Sequence, residues 1–550
     1  MFCAAQNPTV AVKRVSKELL EMRDFQVPGR SPTRALNGMA ATSHPAATLT
    51  AIEVLRGGGN AMDAAIAASA VLCVVEPQST GIGGDCFVLY APKGGGDVIA
   101  YNGSGRAPAA AESAWFQEQG IDEIGLQSPH AVTIPGAIDA WAQLAADHGT
   151  RGLDELFQPA IGYAENGYVV SSRIAKDWAG SADKLRASPA SARIFLPHGE
   201  SPGAGDVHRQ PVLAETFRTI ARDGRDGFYQ GRVAEDIVSF LRDCGGLHSL
   251  DDFATAKGEY VTPIHSDYRG LQIHECPPNG QGMVALMMLN LLSGFDLASL
   301  DPAGPERLHL EAEAGRLAFR DRDAFLADPL LADVPVEHLL SAAYADDLRG
   351  VIQFDKALDM LPPPGTVAHD DTVYLTVVDC DRNAVSFINS LFHGFGSGLT
   401  APKSGVMLQN RGAGFVVDPD HPNGIAPRKR PLHTIIPGMA LQGGRVVMPF
   451  GVMGGQYQPF GHAHLITNIV DYGMDVQVAI DFPRVFHYGE KLDYERTVDP
   501  AVVAALTALG HDTQLAAEPL GGGQAIHIDW QSGVLTGGSD PRKDGCALGY

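Results

Sequence analysis

The tightest constraint on this fold lies between Asp370 and Gly398, where the chain reads DDTVYLTVVDCDRNAVSFINSLFHGFGSG. Tyr374 to Val378 alternates bulky apolar and smaller residues and is rich in β-branched side chains, the pattern of a strand. Asp379 to Asn383 is a polar turn, and Ala384 to Ile388 is the returning strand of a hairpin. Gly394-Phe395-Gly396-Ser397-Gly398 closes the segment. Thr372 is thereby placed where a strand begins.

That position has a chemical use. If the bond between Asp371 and Thr372 is cut, Thr372 gains a free α-amine with an unperturbed pKa of about 7.7–8.0. The amine can take the proton of the residue's own hydroxyl, so nucleophile and base share one residue. Threonine is common at strand ends, so the Asp-Thr pair alone does not specify cleavage. The preceding PPPGTVAHD, through His369, reads as an exposed lead-in that a maturation cut could reach.

The remaining chain supplies the frame. Residues 1–37 are polar and read as an arm. Ser43 is a candidate cap for a helix over Ala47–Leu55, which Gly57-Gly58-Gly59 stops. Asn60 to Asp63 opens a second helix, apolar all round and hence buried, that ends before Pro77. Gly81-Ile82-Gly83-Gly84-Asp85 leads into a strand. It follows a helix, the reverse of the order a phosphate-cradling loop needs, so it reads as a tight buried turn. Arg106, in the loop after the next strand, could hold a carboxylate or serve in a structural ion pair. Residues 153–260 and 304–350 read as helical layers without chemistry. Val446 to Phe450 is a strand running into the glycine turn around Gly454-Gly455, whose N–H groups could meet an oxyanion.

Composition excludes several classes of function. The formal net charge of −23 argues against nucleic acid and anionic membranes as partners. Seven scattered cysteines form no ligand pattern and point to a reducing compartment without structural disulfides. The N-terminus has no continuous apolar core of signal-peptide length, and no run of 18 apolar residues occurs anywhere. The expected location is the cytoplasm, or the periplasm if the true start lies elsewhere. No carboxylate or histidine set is spaced as metal ligands, and no cofactor is expected.

DTVYLTVVDCDRNAVSFINS, the FGSG after it and IAPRKRPLHTIIP resemble the γ-glutamyltransferase family of N-terminal nucleophile hydrolases, and the likeness runs in family order from Gly38 to Tyr550. The resemblance implies an α/β (α+β) fold, a four-layer αββα sandwich. It implies self-cleavage between Asp371 and Thr372 into a large subunit, 38–371 plus the arm, and a small subunit, 372–550, held as one unit. Whether two such heterodimers pair is left open. Thr372 then matches the nucleophile, Ser390 the hydroxyl residue that steadies its amine, and Gly454-Gly455 the oxyanion turn. The acyl-group contacts depart from the pattern: Phe392 replaces an asparagine, Gly414 the acid that holds the γ-glutamyl amine, and Ser104 the carboxylate-binding arginine. His433 and Thr434 stand for two serines. Arg411, with His433, Thr434 and the offset Arg106, is the replacement candidate for holding a substrate carboxylate. The expected activity is cleavage of small amides with a carboxylate-bearing acyl group. Two alternatives remain: a genuine γ-glutamyl hydrolase or transpeptidase, and an unprocessed, non-catalytic binding relative.

Overall fold

The computed structural model describes residues 29–358 and 372–550. Asp371, His369, the lead-in around 362–368 and residues 1–28 of the expected arm lie outside them.

Two seven-stranded sheets form the centre. One runs Cys546–Gly549, Met39–Thr42, Val373–Val378, Ala384–Ser390, Asp85–Ala91, Ile99–Gly103, Glu259–Val261; the other runs Thr33–Ala35, Leu535–Ser539, Gly522–Ile528, Arg445–Met453, Gly438–Gln442, Leu271–Glu275, Ile264–Tyr268. Every neighbouring pair in both sheets is antiparallel. The sheets face each other across a dry layer that includes Phe87, Leu89, Tyr374, Ile388, Met439 and Ile526. Helices such as Ala61–Val75 and Ala137–His148 cover the outer face of the first sheet. Gly282–Leu292, Pro305–Phe325 and Gln458–Val470 cover the second. These are the four layers expected.

The hairpin pairs Val373 with Asn389 through Val378 with Ala384. Its alternation would ordinarily mark one wet face, yet every residue of both strands is buried. The polar positions survive because they are bonded: Thr376 Oγ1 donates to the Val385 carbonyl at 2.9 Å, and Ser386 Oγ to that of Phe450 at 3.2 Å. The apolar helix Ala61–Val75 is wholly buried and begins in an Asn60/Asp63 capping box. The helix before it is Pro45–Arg56, capped by His44 Nδ1 accepting from Ala46 N–H at 3.1 Å. Ser43 is not its cap; its hydroxyl donates to Glu76 at 2.7 Å. Pro45 at the first helical position sets that boundary, because its fixed φ suits the first turn.

Candidate active site

Thr372 immediately precedes a central strand and is fully buried. Its Oγ1 lies 3.1 Å from Ser390 Oγ, at the end of the neighbouring strand. Ser390 Oγ also accepts the Phe392 N–H at 2.9 Å. Phe392 has φ +82°, a left-handed conformation that costs a bulky residue about 1–3 kcal/mol. The Ser390 contact therefore pins a strained residue beside Thr372.

The ring so placed lies under Arg411, whose Cζ is 3.9 Å from the ring centroid. Arg411 is completely buried and donates from Nη1 to Thr434 Oγ1 at 2.8 Å. Its Nε and Nη2 have no hydrogen-bond partner, and no carboxylate pairs with it among the described residues. Burial pulls this guanidinium down to about 9, partly offset by Asp85. The group remains charged at neutral pH, and its two unpartnered donors have the chemistry to hold an anion.

Thr434 carries the path onward. Its carbonyl accepts Gln281 Nε2 at 2.8 Å, and the same amide group donates to the Gly455 carbonyl at 3.1 Å. Arg322 Nη1 holds Gln281 Oε1 at 3.1 Å and also bonds Gln456 Oε1. Gly454 and Gly455 have φ +123° and +53°, and a Cβ at Gly454 would lie 2.7 Å from Gly521 Cα. Neither N–H of the pair is engaged among the described residues. Gly454 forms part of the wall of a cavity of about 550 Å³, together with Gln78, Gly394, Tyr457 and Gly521. Thr372, Ser390, Phe392, Arg411, Thr434, Gln281 and Gly455 are thus joined by unbroken contacts.

Asp85, legible in the sequence only as part of the tight buried turn before its strand, sits behind this path. Its Oδ1 accepts Gly105 N–H at 2.9 Å, Gly136 N–H at 3.2 Å and Gln409 Nε2 at 2.8 Å. Its Oδ2 faces His433 Nε2 at 3.0 Å. The Ile435 N–H points at His433 Nδ1 at 3.3 Å, so Nε2 carries the proton and both ring nitrogens are committed within the protein. Burial, reinforced by the Arg411 charge, pushes His433 down to about 3. It is a neutral brace, and its nitrogens are not presented to a substrate as the sequence suggested. Arg106 also differs from expectation. It pairs with Asp328 at 3.3 Å and Glu259 at 3.4 Å, and donates to the Arg428 carbonyl, outside the path that joins Thr372 to Arg411. Ser104, where the resemblance leads one to expect an arginine, accepts from Asn279 Nδ2 at 3.0 Å.

Comparison with known proteins follows the same lines. The family model described as Gamma-glutamyltranspeptidase matches residues 47–550. The chain is 38% identical over 521 residues to a glutathione hydrolase-like YwrD proenzyme of Bacillus subtilis (strain 168), covering 93% of this chain and 98% of that one. It is 36% identical over 530 residues to an oxamate amidohydrolase proenzyme of Klebsiella pneumoniae, covering 94% and 98%. Among solved structures, a cephalosporin acylase from Bacillus halodurans superposes with a TM-score of 0.90 at 40% identity, covering 96% of this chain and 99% of that one.

Proposed function

Because this chain belongs to the gamma-glutamyltranspeptidase family, we propose that it is a self-processing amidohydrolase whose acyl pocket takes a carboxylate in place of a γ-glutamyl amino acid. In maturation, Thr372 Oγ1 attacks the carbonyl carbon of Asp371. The peptide C–N bond breaks as an ester forms, which frees the α-amine of Thr372, and water then hydrolyses the ester to release the Asp371 carboxylate and the Thr372 hydroxyl. In turnover that amine accepts the hydroxyl proton as Oγ1 attacks the substrate amide. The N–H groups of Gly454 and Gly455 receive the oxyanion. The proton passes to the departing amine, and water or another amine releases the acyl group. Ser390 holds the nucleophile's hydroxyl, and His433 and Asp85 hold the floor.

One observation carries the acyl assignment: a fully buried arginine, three contacts from the nucleophile, keeps two unpartnered donors. Gly414 offers no charge to a substrate ammonium. Oxamate, the compound named for one relative, is itself an amide whose acyl group bears a carboxylate.

The test compares glutaryl- and γ-glutamyl-p-nitroanilide under identical conditions. A higher kcat/KM for the glutaryl compound is expected. Strong preference for the γ-glutamyl compound would overturn the pocket assignment and favour a genuine γ-glutamyl hydrolase or transpeptidase.

A further inference from the structure

Far along the chain from the nucleophile, three buried side chains converge on one point. His309 and Glu313 stand one turn apart on the helix Pro305–Phe325, so both project from the same face. His511 comes from the turn after the helix Pro500–Ala508. One ligand atom from each lies within 4.8 Å of the others.

The hydrogen bonds fix which lone pairs are offered. His309 Nε2 lies 2.7 Å from the Gln353 carbonyl, which can only accept, so this nitrogen carries the proton and Nδ1 keeps its lone pair. His309 Nδ1 is 2.8 Å from His511 Nε2, which therefore donates. His511 Nδ1 is left buried without a partner, 4.0 Å from Glu313 Oε1. The far oxygen of Glu313 accepts the Leu358 N–H at 2.9 Å. Two of the three groups are thus oriented from behind by backbone atoms, as metal-ligating histidines and carboxylates usually are.

We propose that His309 Nδ1, His511 Nε2 and a Glu313 oxygen form a site for a late first-row divalent cation, Zn2+ foremost, which ties the two halves of the processed chain together. Imidazole and carboxylate in this ratio suit zinc. Binding needs no net proton release. The His511 proton moves from Nε2 to Nδ1, the nitrogen without a hydrogen-bond partner, and Nε2 is freed for the ion. The two ring nitrogens separate from 2.8 Å to about 3.3 Å, as zinc–nitrogen bonds of about 2.0–2.1 Å at a tetrahedral angle demand. His309 and Glu313 precede Thr372 and His511 follows it, so the ion would bridge large and small pieces. It would also fix the strap Gln353–Leu358, whose residues 353–356 are exposed. Arg316 Nη1 competes for Glu313 Oε1 at 2.9 Å.

The experiment uses untagged, processed protein stripped with EDTA and titrated with Zn2+ by calorimetry, with metal content measured after dialysis. One ion per chain is expected. Co2+ in its place should give the strong visible bands of a four-coordinate site. His511→Ala and His309→Ala should each weaken binding by about 100-fold, while Arg316→Gln should tighten it. Hydrogen exchange of wild-type residues 353–358 should slow on adding Zn2+, a readout that needs no variant to fold. The same stoichiometry and affinity in both histidine variants, or unchanged exchange at the strap with zinc bound, would overturn the site.

Discussion

At the residue scale the decisive feature is a charge without a partner. Arg411 bears full burial while bonding only Thr434 and resting on Phe392. A buried charge left uncompensated is costly, and a chain tolerates it where a ligand completes it. Arg411→Gln removes the charge but keeps polar donors. A charge-assisted hydrogen bond contributes roughly 1.5–3 kcal/mol, so kcat/KM for glutaryl-p-nitroanilide should fall about 10- to 150-fold. The uncharged valeryl compound should lose little, because its terminal methyl never met the guanidinium. Equal losses on both substrates would mean that Arg411 only supports the loop. Processing should still occur, since Thr372 and Ser390 are untouched.

At the element scale, function rests on close approaches that only glycine permits. A Cβ on Gly83 would sit 2.1 Å from the Met407 carbonyl oxygen, and one on Gly84 2.1 Å from that of Ser390. These glycines press the turn onto the hairpin that follows Thr372, and Asp85 then binds four segments at once. Asp85→Asn turns one of the two acceptor oxygens into a donor group that faces donors whichever way the amide lies. An unfolding free-energy loss of about 3 kcal/mol or more is expected, read by denaturant melts. Gly454→Ala meets the Gly521 backbone and a φ of +123°. Its kcat should drop about 10²-fold or more, the scale of losing an oxyanion donor, with a near-native circular dichroism spectrum. The hairpin, the all-buried second helix and the glycine turn before Gln458–Val470 were legible because each has a local signature of period, cap or glycine. Asp85 was not, because its partners Gly105, Gly136, Gln409 and His433 are spread over more than 300 positions. Arg106 misled because adjacency in a motif fixes neither side-chain direction nor the acids that other elements bring, here Asp328 and Glu259. The His309–His511 contact spans 202 positions, beyond any spacing rule.

At the scale of the whole molecule, both sheets interleave strands from either side of residue 372. In one, Met39–Thr42 lies between Cys546–Gly549 and Val373–Val378, and Ala384–Ser390 pairs with Asp85–Ala91. In the other, Thr33–Ala35 pairs with Leu535–Ser539 and Gly438–Gln442 with Leu271–Glu275. Five ladders would therefore have to break to part the pieces. The processed protein should elute as one species from a native column and give two bands under denaturing conditions, whereas Thr372→Ala should give one band at the full 58.2 kDa. A single band from the wild type would revive the unprocessed binding protein. The same dense packing sets the response to acid. Burial holds His44, His208, His248 and His274 down to about 4, and His433, His487 and His511 down to about 3. Unfolded, each titrates near about 6.5. Between these values the unfolded chain binds more protons, so stability is complete above about pH 6.5 and is lost as pH falls. Burial raises Glu275, Asp379 and Asp481, the last to about 6, and these act in the opposite sense. Seven groups against three leave the histidines in control. The melting temperature should therefore hold near pH 7–8 and drop by about several degrees or more by pH 4. A flat profile across that window would show that these rings gain protons without unfolding, and that the interior admits water more readily than its packing implies.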